Sequence, residues 1–171
     1  MRAIARAGLS APTAEIAKSA DVAAGTLFTY FATKEQLLNE LYVSLKLEVY
    51  DRVNSNFPQS GSLERRVRHI WTSFLDWAIE FPEKRKVSVQ LNVSDVITTE
   101  TRMLTATKRA AIDATLGELD RRGALHGLPS GFAAATMSAM QEATIEFIGR
   151  QLKQREELIE QSFRAFWRIV R

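Results

Sequence analysis

Hydrophobic residues recur three and four positions apart along most of this chain, the spacing that gathers one face of an α-helix. After Pro12, Ile16, Ala17 and Ala20 share such a face, and the Thr13 hydroxyl predicts a cap for that helix. Asp21 predicts a left-handed turn residue and Val22 a plug between two helices. A second short helix starting near Ala23 points Leu27 and Phe31 inward and leaves Ala24, Gly25, Phe28 and Thr29 outward. Leu37, Leu38, Leu41, Leu45 and Val49 then predict a long helix from about Thr33, broken by the polar residues and proline of 54–58. Ser62 predicts the cap of a helix striped by Val67, Ile70, Trp71, Phe74, Leu75 and Ala78, which Phe81 and Pro82 stop.

Residues 87–94 follow a different rhythm, with Val87, Val89, Leu91 and Val93 alternating with polar residues, and local rules read a half-buried strand. A strand with no partner elsewhere in the sequence would leave its backbone groups unpaired. The strand is therefore set aside, although the local pattern leaves helix and strand both open. Thr98 or Thr99 predicts the start of one further helix that ends at Arg121 and Arg122, where cations meet the negative helix end. Ser130 predicts the cap of the next, which mixes Phe132, Met140, Phe147 and Ile148 with Ala133, Ala135, Ala139, Ala143 and Gly149. The last carries Leu158, Ile159, Phe163, Phe166, Trp167, Ile169 and Val170, an arc wider than one core contact needs. The fold class expected is all-α.

With 171 residues, 46% hydrophobic and 25% charged, the chain can bury a core. No apolar run approaches the ~20 residues that span a bilayer, and the start lacks the apolar stretch of a secretory signal. A cytoplasmic protein with no membrane partner is expected. The absence of cysteine excludes disulfides, a thiol nucleophile and thiolate metal sites. His69 and His126 show no metal-ligand spacing, no Gly-rich phosphate cradle appears, and no serine sits in a nucleophile elbow. An enzyme is therefore not expected, nor a metal or other cofactor.

Taken alone, residues 13–34 would pass for an ordinary helical hairpin with Phe28 and Tyr30 buried. The longer run AEIAKSADVAAGTLFTYFATKEQLLNELY resembles, almost position by position, the helix-turn-helix of the TetR/AcrR family of bacterial repressors. That resemblance places Thr13, Thr26, Thr29, Tyr30 and Lys34 on phosphate oxygens, where they set register, and Ala24, Gly25 and Phe28 against base edges. The chain departs from strong readers in having no Arg, Lys, Asn or Gln at the base-facing positions, so readout falls to thymine methyls and DNA shape. Phe28 also stands where the family commonly has Tyr. Charge adds little, since residues 1–50 hold five basic and five acidic side chains. The resemblance further implies a fuller first helix, so that the natural start is expected upstream of Met1.

Two domains are implied: 1–45, a three-helix helix-turn-helix DNA-binding domain with its first helix truncated, and 46–171, a helical effector-binding and dimerisation domain. By resemblance the last two helices pair with those of a second subunit, with Phe132, Met140, Phe147, Phe163, Phe166 and Trp167 as interface candidates. Leaving Phe163, Phe166 and Trp167 in water would forgo about 1.5 to 3 kcal/mol each, which supports a covered face independently. Trp71, Phe74, Met103, Thr107, Met137 and Gln141 are the candidates to line a pocket for an apolar or aromatic effector. The function implied is that of a ligand-responsive repressor, a homodimer on a palindromic double-stranded operator. Its two recognition helices would lie about 34 to 36 Å apart or a near multiple. The alternatives are a helical interaction protein that has lost DNA binding and a small-molecule enzyme.

Overall fold

A computed structural model describes residues 1–171, the side-chain surroundings of Gly123 apart. Its helices are α1 (Arg2–Ala7), α2 (Thr13–Ser19), α3 (Ala24–Tyr30), α4 (Lys34–Asn54), α5 (Leu63–Glu80), α6 (Pro82–Asn92), α7 (Thr99–Met103), α8 (Ala106–Asp120), α9 (Phe132–Arg150) and α10 (Arg155–Val170). No strand occurs among the described residues. The chain forms two compact units, one made of residues 1–50 with 80–107 and the other of 51–79 with 108–171. The first unit thus takes in α6 and α7 as well as the expected 1–45.

In the first unit, Ala3, Ile4 and Ala5 of α1 are buried, and α1 packs on α2 and α6. Helix α6 contains most of the alternating segment, and burial shows why the helix wins. Val87 and Leu91, one turn apart, are buried, whereas Val89 is exposed and Val93 is 82% exposed; a strand would have put all four on one face. Pro82 opens α6 at the first helical position, where its missing N–H costs nothing. The start of α4 is held by a reciprocal pair of bonds. Thr33 Oγ1 accepts from the Gln36 amide (3.1 Å), and Gln36 Oε1 accepts from the Ala32 amide (2.8 Å), so two otherwise orphan donors are satisfied. Asn39, farther along α4, donates to the carbonyls of Val96 (2.9 Å) and Glu35 (2.8 Å) and accepts from the Thr98 amide (3.1 Å). Segment 96–98 is thereby fastened to α4.

The single helix expected from Thr98 or Thr99 to Arg122 is in fact two, α7 and α8. Thr98 does cap α7, accepting from the Thr101 amide at 3.1 Å. The break falls at 104–105, where the buried Thr105 hydroxyl donates to the Arg102 carbonyl (3.3 Å), a local bond that competes with the helix ladder.

The second unit is built around Trp71 of α5, which is fully buried. Its ring stacks on Phe166 at 5.3 Å and meets the edge of Phe163 at 6.0 Å, both from α10. Phe163 and Phe166 are 1% and 0% exposed, so the expectation that they await a partner subunit is corrected: α5 covers them within the chain. Arg68 lies over the Phe163 ring at 4.1 Å while its guanidinium pairs with Glu160 and Glu64, an apolar and an ionic contact from one planar group.

Ser62 caps α5 as expected, accepting from the Arg65 amide at 3.2 Å. Ser130 does not cap α9. The Asp120 carboxylate, at the end of α8, accepts from the amides of Gly131 (2.7 Å) and Ala133 (2.8 Å), and Gly131 takes the left-handed conformation (φ 91°) that aims those amides back. Arg66 donates to Glu118 at 2.7 Å, both side chains being largely buried, and this bond above all holds the Glu118 carboxyl below the usual carboxylate range. His69 Nε2 lies 2.8 Å from the Val53 carbonyl and its ring meets Phe57 edge-on, a structural position. No described helix is long and apolar enough to cross a membrane.

Candidate nucleic-acid interface

Helices α2 and α3 are joined by a turn whose geometry follows from three residues. Ala20 ends α2, and Asp21 adopts the left-handed backbone expected of it (φ 57°). The Val22 amide then returns to the Ala17 carbonyl at 3.1 Å. Val22 itself is exposed and does not plug the angle; Ile16, Ala17 and Leu27, all buried, fill that role. Thr13 is the first residue of α2 and its hydroxyl makes no capping bond, because Pro12 is the capping residue and its carbonyl takes the amides of Glu15 and Ile16.

Helix α3 turns Leu27 inward and half-buries Phe31, as the spacing predicts. Its other face is open. Ala24, Gly25, Thr26 and Thr29 are exposed, Phe28 is 49% exposed and Tyr30 74%. The ordinary hairpin, with both rings buried, is thus excluded. The Thr29 hydroxyl donates to the Gly25 carbonyl at 3.2 Å, within its own helix.

Thr13, Phe28 and Lys34 come from three different helices and line one narrow crevice together with Thr33. At the start of α4, the Glu35 carboxyl is held below its ordinary range by its own backbone amide, then by the Thr33 hydroxyl and by Lys34. A carboxylate therefore already answers this helix end, beside the Lys34 ammonium.

Sequence reasoning passed over one cation. Lys18, exposed in the last turn of α2, lines an open cleft with Ala14, Asp21, Val22, Ala23 and Ala24. The available signal was its spacing of four from Ala14, on the face opposite the buried Ile16 and Ala17.

The remaining candidates divide between the two units. Trp71, Met137 and Gln141 are buried and Phe74 is half-buried, all in the second unit, and the Gln141 side-chain amide donates to the Trp71 carbonyl at 3.4 Å. The Trp71 Nε1–H is buried without a hydrogen-bond partner. Met103 and Thr107 belong to the first unit, and Met103 is 69% exposed. Of the interface candidates, Phe132 and Phe147 are exposed, Met140 is half-buried, and Trp167 is half-buried with its ring parallel to Phe163 at 6.4 Å. The described residues hold no cluster of three or more His, Asp or Glu side chains able to bind a metal ion.

The chain is all-α and opens on a helix-turn-helix whose second helix is bare on one side. Residues 1–41 match the family model of the bacterial regulatory proteins, tetR family. The whole chain is similar in fold to a TetR family transcription regulator from Marinobacter aquaeolei VT8, with a TM-score of 0.81 at 24% identity over 99% of this chain and 90% of that one. It is also similar to a bacterial regulatory protein in the tetR family from Rhodococcus RHA1, with a TM-score of 0.66 at 17% identity over 99% and 91% of the two chains. The fold is that of the TetR-type regulators.

Proposed function

We propose that this protein is a ligand-responsive, DNA-binding transcription regulator of the cytoplasm, most simply a repressor. It would bind a palindromic operator as a homodimer and would not be an enzyme. The observation that carries this reading is the bare outer face of α3, where Gly25, Phe28 and Tyr30 stand in solvent on a helix whose inner face is packed. Thr13, Thr26, Tyr30 and Lys34 would hold phosphate oxygens, as would Thr29 once its hydroxyl turns from the Gly25 carbonyl, while Ala24, Gly25 and Phe28 face base edges. Exposed Phe132 and Phe147 on α9 support pairing with a second copy, since two such rings left in water forgo apolar burial. The unpartnered Trp71 Nε1–H, with Gln141 beside its carbonyl, supports an effector that offers a hydrogen-bond acceptor on an apolar body. An effector that prefers the DNA-incompetent form would weaken binding by the difference in its affinity for the two forms.

The test is a gel shift of the purified protein on duplex DNA from upstream of its own gene, at several salt concentrations. A shift that weakens steeply with salt is expected, because neutralised phosphates release counterions. A complete lack of shift at low salt would overturn DNA binding and leave a helical interaction protein.

A further inference from the structure

We propose that the body formed by α1 to α4 carries a small-molecule site of its own, apart from Trp71 and Gln141, and that it takes an organic ammonium ion with an apolar ring system. A groove of about 460 Å³ opens among these four helices, its lining drawn wholly from the first compact unit. Ile4, Ile16, Leu27 and Leu41 come from the four helices in turn and wall it with hydrocarbon, and Phe31 at the end of α3 adds an aromatic ring. That volume lies in the range of sites for drug-sized molecules, which combine apolar walls with a few polar groups that set orientation.

The polar side chains of the groove sit together on α4. Glu40 and Ser44 are four residues apart, which stacks them on one helical face, and both are exposed. Glu40 is the one charged side chain among the lining residues. The other carboxylates of α4 all have answering groups: Lys84 donates to Glu48 at 2.8 Å, Lys108 to Asp51 at 2.7 Å, and Glu35 is held by its own amide and Thr33. Glu40 has no ion pair or hydrogen bond among the described residues, and the Ser44 hydroxyl has none either. A lone carboxylate at the edge of hydrocarbon walls attracts cations and repels anions. Ammonium N–H groups find acceptors in the Glu40 carboxylate and in Ser44 Oγ, while the apolar body lies along the walls and its charge stays at the wet rim. The cleft beside Lys18 differs on both counts, since it holds both signs of charge and has only Ala and Val as apolar lining.

The experiment is calorimetric titration of the full chain at low salt with naphthylmethylammonium, its neutral isostere naphthylmethanol and the anion naphthoate, repeated with Glu40→Gln. The ammonium should bind about fivefold more tightly than the alcohol, the effect of one exposed charge pair, and the anion should bind weakest. Glu40→Gln should erase the preference for the ammonium over the alcohol and leave the melting temperature of the free protein unchanged, because the carboxylate is exposed and unpaired. Amide resonances moved by the ammonium should cluster at Ile4, Leu27, Phe31 and Leu41 and not around Trp71. Equal binding of ammonium and alcohol, a preference for the ammonium that survives Glu40→Gln, or shifts confined to the surroundings of Trp71 would each overturn the proposal. So would a lack of binding by the ammonium at millimolar concentration. The gel shift tests DNA binding separately, and neither result decides the other.

Discussion

Phe28 on α3 and Phe166 on α10 occupy helices with similar apolar spacing, yet the first ring is 49% exposed and the second 0%. Around Phe166 the chain brings Trp71 into a stack at 5.3 Å and closes the site. Around Phe28 it brings only the rim of a crevice shared with Thr13 and Lys34. Two stripes that look alike in sequence thus differ in whether the chain supplies its own partner. Phe166 is covered from within its own unit, whereas the strip on α3 is left open to solvent.

Substitutions can break or sharpen that contrast. Trp71→Ala should cost most, about 3 to 5 kcal/mol of stability, because a large ring leaves a cavity between Phe163 and Phe166; urea denaturation would read it. A cost below about 1 kcal/mol would mean that the aromatic stack is not the centre of the second unit.

Glu118→Gln should cost about 1.5 kcal/mol at neutral pH by weakening the charged bond from Arg66. The sign with pH follows from the lowered folded value of Glu118. Its contribution is fully present above the ordinary carboxylate range and is lost as pH falls through the depressed value, so the variant should narrow its deficit in acid. Melting curves at neutral and acid pH would check this, and a deficit that widened in acid would refute the pairing.

Asp120→Ala removes the acceptor of two amides at the start of α9 and should cost about 1 kcal/mol, measured in the same way. Phe28→Ala is expected to change stability by no more than about 0.5 kcal/mol, while weakening DNA binding. If it unfolded the protein as readily as Trp71→Ala, the contrast between the two rings would fail. Lys34→Ala should leave stability alone, weaken binding to all sequences alike, and reduce the slope of affinity against salt by about one ion.

Much of this was legible from the sequence because local rules were enough. Asp21 took its left-handed turn, Thr33 and Ser62 stood at helix starts, and Leu27 turned inward. The alternating segment was legible only by asking where a lone strand would find its hydrogen bonds, and Val87 with Leu91 answered by falling on one helical face. What escaped depended on distant residues. Ser130 lost its capping role to Asp120, eleven positions before the Gly131 amide, and Phe163 with Phe166 were claimed by Trp71. A stripe wider than one contact states that two surfaces will be covered without saying which belongs to the same chain. Lys18 was missed because its spacing from Ala14 puts it on the outer face of α2 without saying that the start of α3 lies beside it.

The packing of α1 on α6, with Asn39 gripping the backbone at Val96 and Thr98, bears on how the helix-turn-helix could be borrowed. A fragment cut after residue 45 would strip α1 of a neighbour and leave Val87 and Leu91 behind on the discarded piece. Anyone grafting this head onto another protein would have to transplant two separate stretches, 1–50 and 80–107, as one body. The helix-turn-helix is therefore not a removable cassette, since α1 and Asn39 tie it to the stretch 80–107.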